Sequence, residues 1–129
     1  MMVREYPKEY AKDYLEKAKR FLTIAINNIE NYPEEAAFNA VQSTINANDA
    51  FTIWILGKRA SKDHREAIIL HKEAAKKIGE SRSETVIKEL DSRDITGYDV
   101  KKKLSRRECE ILIRRAERFV NWVERIISR

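Results

Sequence analysis

Apolar residues recur every three or four positions through most of the chain, so helices are the expected elements. Tyr10, Tyr14, Ala18, Phe21, Ala25 and Ile29 form one such stripe, with Ala11, Leu15, Leu22 and Ile26 beside it. They predict an amphipathic helix from Pro7 or Lys8 to Asn31. Tyr32-Pro33 breaks it, and Pro33 suits the opening position of a second helix that ends at Gly57, a left-handed cap by type. The two are expected to pair as an antiparallel hairpin. From Glu34 to Gly57 the chain holds no Lys or Arg, which marks this helix as the buried centre of a bundle. Ala36, Ala37, Ala40, Ser43, Ala47 and Ala50 permit close helix approach, while Asn39, Gln42, Asn46 and Asp49 add a polar row at helical spacing.

Ser61 is a candidate cap for a third helix with Ala67, Ile68, His71, Ala75 and Ile78 on one side and a stop at Gly79. Ser81 or Ser83 begins a shorter fourth helix with Val86, Ile87 and Leu90 inward. The segment from Arg93 to Asp99 reads as a connection. Ser105 and Glu108 have capping-box spacing and open the last helix. Its apolar stripe runs through Cys109, Leu112, Ile113, Ala116, Phe119, Val120, Val123, Ile126 and Ile127. The expected fold is all-α, an up-and-down antiparallel bundle of about five helices with short links.

Composition agrees. The 129 residues suit one domain over the whole chain, and 43% hydrophobic with 36% charged residues can bury a core. Three Gly and two Pro leave little material for hairpin turns. The net charge of +5 makes a polyanionic partner plausible, although acidic residues are interleaved with the basic ones. Arg106, Arg107, Arg114, Arg115, Arg118, Arg125 and Arg129, set among Glu108, Glu110, Glu117 and Glu124, read as a solvated ion-pair face. A lone Cys109 at an apolar position reads as core and suits a reducing cytoplasm. No apolar run is long enough to span a bilayer, and the polar first residues do not suit a signal peptide, so a cytoplasmic protein is expected.

Candidate chemistry centres on Arg59 and His64: an imidazole moves a proton while a guanidinium stabilises a phosphate oxyanion. On one continuous helix a five-residue offset puts them on diverging faces, so a shared site needs a chain break, which Gly57 and Ser61 predict, or a second protomer. The plainer alternative leaves Arg59 in solvent at one helix end and His64 in the first turn of the next. His71 lies about 10 Å along the axis from His64, too far to share an ion, and reads as a hydrogen-bonded, partly buried histidine. No metal and no cofactor are called. The row Asn39, Gln42, Asn46 and Asp49 suits either a nucleotide pocket or a polar seam that fixes helix register, the commoner use of such residues. Tyr10, Tyr14, Phe21 and Phe119 read as core, and Trp54 and Trp122 as markers of an exposed self-association surface.

The order of these features resembles the HEPN superfamily: an opening amphipathic helix ending in Tyr-Pro, the Ala-rich helix from Ala36 to Leu56, the Ser61 to His64 start, and Leu90 to Tyr98 leading into a long closing helix. The resemblance implies a helical bundle, usually a homodimer, that binds nucleotide or RNA and often partners a small nucleotidyltransferase in a toxin–antitoxin pair. It further implies, for active members, an Arg-x4-6-His motif that meets its copy across a dimer cleft and cuts RNA without metal, leaving a cyclic phosphate. Arg59 and His64 match the bare spacing. They depart in having Ala60 where a polar residue follows the Arg, in having Glu66 where some members carry Tyr, and in lying early in the bundle. Arg93 and Tyr98 occupy the later location and resemble non-nuclease members. The leading expectation is a nucleotide-, RNA- or partner-binding module; the alternatives are a metal-independent ribonuclease using Arg59 and His64, and a structural oligomerisation adaptor.

Overall fold

The computed structural model describes residues 3–61, 63–93 and 103–129. Among them are five helices, α1 (Tyr10–Asn28), α2 (Pro33–Leu56), α3 (His64–Ile78), α4 (Ser83–Asp91) and α5 (Arg106–Ile127), with two short strands, β1 (Val3–Glu5) and β2 (Lys58–Ala60). Helix α2 packs against every other helix and against β2. Its Ala36, Ala37, Ala40, Val41, Ala47, Ala50, Phe51 and Ile53 are fully buried. The cation-free segment is therefore central.

The small residues work as expected. Ser43 donates its hydroxyl to the Ala18 carbonyl of α1 at 2.7 Å, a contact that requires the two backbones to lie side by side. Ala18 and Ser43 are equidistant from the intervening turn, so α1 and α2 are antiparallel. Lys19 of α1 pairs with Glu124 of α5, and Glu30, in the turn after α1, pairs with Arg106, in the same opposed sense. The two pairs lie at the surface and steady orientation more than they stabilise.

Local signals account for most helix ends. Pro33 opens α2, and Tyr32 before it is forced out of helical conformation at φ −138°. That restriction ends α1 at Asn28, short of the expected Asn31. Gly57 caps α2 in the left-handed region at φ +69°, donating its N–H to the Ile53 carbonyl. The Ser105/Glu108 capping box is complete in both directions. The cap of α3 is a correction: Asp63, not Ser61, accepts the Arg65 N–H at 2.8 Å. A carboxylate one residue before the helix meets the first free N–H groups directly, and Ser61 is left too far upstream.

Three burial assignments also change. The buried face of α1 is Ala11, Leu15, Ala18, Leu22 and Ala25, whereas Tyr10 is 48% exposed and Tyr14 and Phe21 are half-buried. Close approach to α2 selects the small residues for the seam and pushes the aromatics to its margins. Trp122 is not at a surface: it is 2% exposed and packs on Phe51 with ring centroids 4.9 Å apart. Trp54 is half-buried beneath the Lys8 ammonium, 4.0 Å from its ring centre. Phe119 and Cys109 are core residues as read, and burial pushes the Cys109 thiol up to about 11.

Ala40 shares the Ser43 face of α2, one turn away. Ala40→Leu is expected to overpack this seam and cost about 1–3 kcal/mol of unfolding free energy, read from urea denaturation.

Candidate functional site

The break after α2 builds the site. Beyond Gly57 the backbone extends into β2, which pairs antiparallel with β1 in the register Arg4 to Arg59. Tyr6 N–H then bonds the Gly57 carbonyl at 2.8 Å. Three residues past β2 the chain turns into α3 at His64. Arg59 and His64 thus leave from different elements, a strand and a helix N-terminus, and both line one cleft of about 360 Å³. Its other walls come from α2 (Gln42, Thr44, Ile45, Asn48 and Asp49) and from α4 and its end (Val86, Leu90 and Arg93).

Of the expected site residues, the fold brings Arg59, His64, Gln42, Asp49 and Arg93 to this cleft. Asn39 and Asn46 do not line it. Asn46 is buried and returns its amide to the Gln42 carbonyl of its own helix at 2.8 Å, while Asn39 is half-buried two turns earlier. The polar row therefore divides, because α2 presents only one strip of its surface to the cleft. Tyr98 lies outside the described residues, as does the connection expected after Arg93.

Each cation in the cleft has an internal partner. Arg59 Nε donates to Asp49 Oδ2 at 3.1 Å and Nη1 donates to the Tyr6 hydroxyl at 2.9 Å. Its guanidinium carbon lies 5.1 Å from the Tyr14 ring centre and 5.6 Å from that of Tyr6. Arg93 Nη1 lies 2.7 Å from His64 Nε2. Arginine has only N–H groups to offer, so Nε2 is the acceptor of this bond. Among the described residues no hydrogen bond joins Arg59 to His64, although the two share a cleft.

Burial dominates the electrostatics. Asp49 is 6% exposed, and desolvation pushes its carboxyl up to about 7 despite the Arg59 guanidinium and Lys17. Glu89 on α4 is 0% exposed, among the described residues neither of its oxygens is hydrogen-bonded, and burial pushes it up to about 8 against the pull of Arg115. His71 is moved the other way, down to about 4, by burial and then by Arg82. Its neutral ring is pinned at both nitrogens: Nδ1–H donates to Asn48 Oδ1 at 2.9 Å, and Nε2 accepts the Arg82 N–H at 2.9 Å. Asn48 also donates to the Ala67 carbonyl at 3.2 Å, tying the cleft wall of α2 to α3.

Sequence reasoning missed Asn48, Tyr6 and Glu89. Asn48 sits among small buried residues where an amide must find partners on a neighbouring helix, which is the one signal that marks it. Tyr6 reaches Arg59 only through strand pairing across the whole of α1 and α2. Glu89 has no sequence signal, since Glu is ordinarily exposed. Among the described residues no three His, Cys, Asp or Glu side chains gather as metal ligands.

A helical domain with a cleft walled by a strand–turn–helix junction and furnished with two arginines and a histidine is the class defined by this geometry. The model for the HEPN domain matches residues 11–126, and the chain belongs to the HEPN family. No curated protein matches it. Family membership fits a nucleotide- or RNA-related, or nuclease-like, module. Among the described residues no helix is long and apolar enough to cross a membrane.

The Glu89 carboxyl holds its proton in the folded chain at pH values where the unfolded chain has lost it. Its contribution is fully present below about 4.5 and is lost as pH rises toward 8, a change on the order of a few kcal/mol. Glu89→Gln is expected to gain stability relative to the parent across that window, with urea unfolding at pH 5 and pH 8 as the measurement.

Proposed function

We propose that the cleft binds the phosphate of a nucleotide or of single-stranded RNA, and that the chain is a binding module of the HEPN type. The carrying observation is convergence: Arg59, Arg93 and His64 come from β2, the end of α4 and the start of α3 onto one cavity whose remaining wall includes Ile45, Ala67, Val86 and Leu90. Guanidinium groups recognise phosphate oxygens, and an apolar wall accepts the face of a base or ribose. The volume suits one nucleotide unit, with a longer RNA continuing over the surface.

Binding is favoured over cutting by the hydrogen bonds within the cleft. A ribonuclease needs a proton-accepting imidazole nitrogen beside the attacking hydroxyl and a guanidinium facing the phosphate. Here Nε2 of His64 is engaged by Arg93. Two partners belong to the same proposal by family membership, a second copy of this chain and a small nucleotidyltransferase.

Arg93→Ala is expected to weaken binding of a fluorescein-labelled single-stranded RNA about tenfold, on the order of 1.4 kcal/mol. The slope of log affinity against log salt should fall by about 0.7, the value for one phosphate contact on a single strand. Anisotropy titrations at two or three salt concentrations measure both. A parent protein that binds neither RNA nor nucleotide at low salt overturns the reading. RNA cleavage abolished in His64→Ala replaces it with the ribonuclease.

A further inference from the structure

We infer that Asp49 is a built-in competitor for the phosphate of the incoming ligand: it holds the Arg59 guanidinium, and binding requires the phosphate to take its place. The inference rests on the reading of the cleft as a phosphate-binding site and adds its regulation.

The geometry of the Asp49–Arg59 pair is that of a contact made to be exchanged. A guanidinium and a carboxylate bind best through two parallel hydrogen bonds. Here there is one, from Nε to Oδ2, and among the described residues Oδ1 accepts none. The rest of the guanidinium is positioned by other groups. Nη1 is held by the Tyr6 hydroxyl, and the guanidinium lies within cation–π distance of the Tyr6 and Tyr14 rings. The arginine therefore remains anchored at the cleft when Asp49 releases it. A phosphate offers several oxygens and can meet a guanidinium edge with the two-bond geometry that Asp49 does not achieve.

Asp49 also lines the same cleft, so its negative charge lies where the ligand's charge would be repelled. The charged and titratable groups around it are Arg59 from β2, Tyr14 and Lys17 from α1, and, across the cleft, Asp63 and His64 at the start of α3 and Arg93 beyond α4. Burial holds the Asp49 carboxyl up near 7 even with Arg59 beside it. Losing that guanidinium to a phosphate removes its main favourable partner and drives the carboxyl to take a proton from solvent. Ligand binding above neutral pH is thus coupled to uptake of about one proton, and affinity rises as the solution becomes more acidic.

The test compares the parent, Asp49→Asn and His64→Gln by anisotropy with the same labelled RNA at pH 6 and pH 8.5. Asp49→Asn removes the competing charge and is expected to bind about tenfold tighter than the parent at pH 8.5 and about equally at pH 6. His64→Gln is expected to retain a pH dependence that Asp49→Asn loses. Titration calorimetry of the parent at pH 8 in two buffers of different ionisation enthalpy counts the proton directly, without relying on any variant. Binding by the parent with no proton uptake, or Asp49→Asn binding no tighter than the parent at pH 8.5, overturns the inference and leaves the binding function standing. Absence of RNA and nucleotide binding in the parent and in Asp49→Asn alike overturns both.

Discussion

Everything in this fold depends on how closely neighbouring helices approach α2. With Ala36, Ala40, Ser43 and Ala47 along one face, the α2 backbone comes near enough to α1 for the Ser43 hydroxyl to reach the Ala18 carbonyl. A long or charged side chain anywhere along that strip would separate the helices, since interiors are packed to crystal-like density. The same closeness sets a condition on the polar groups that α2 carries inward: each must find a partner on the element packed against it. Asn48 meets the condition through His71 and the Ala67 carbonyl, Asp49 through Arg59.

The site follows from the place where that central helix stops. A helix carried on through residue 64 would have turned Arg59 and His64 away from each other. The left-handed conformation at Gly57 and the two strand residues on either side of Arg59 redirect the chain across the end of the bundle. The imidazole and the guanidinium then enter one cavity from two directions. Pairing with β1 brings Tyr6 to the same point, so a tyrosine distant in sequence becomes part of the arginine's setting.

Within the cleft, each arginine already meets a partner from the same chain. Arg59 faces Asp49, and Arg93 faces the His64 ring. An anion entering such a site would have to break those pairs, so its affinity would depend as much on that cost as on the hydrogen bonds it makes itself. That is a different design from an exposed basic patch, which the interleaved charges of α5 already argue against.

The helices themselves were legible in the amino-acid order, because local rules suffice for them: a three-to-four residue apolar period, Pro33 at a helix start, Gly57 and Gly79 at helix ends, and the Ser105/Glu108 box. The central role of α2 was legible for the same reason, since the lack of Lys and Arg is visible without coordinates. The pairing of Arg59 with Asp49 and Tyr6, the capture of His64 by Arg93, the burial of Glu89 and Trp122, and the loss of Asn39 and Asn46 from the site were not. These depend on which face of each helix meets which neighbour and on strand pairing between residues far apart in the chain. Periodicity fixes the angle of a side chain around its own axis; only packing decides what that angle points toward.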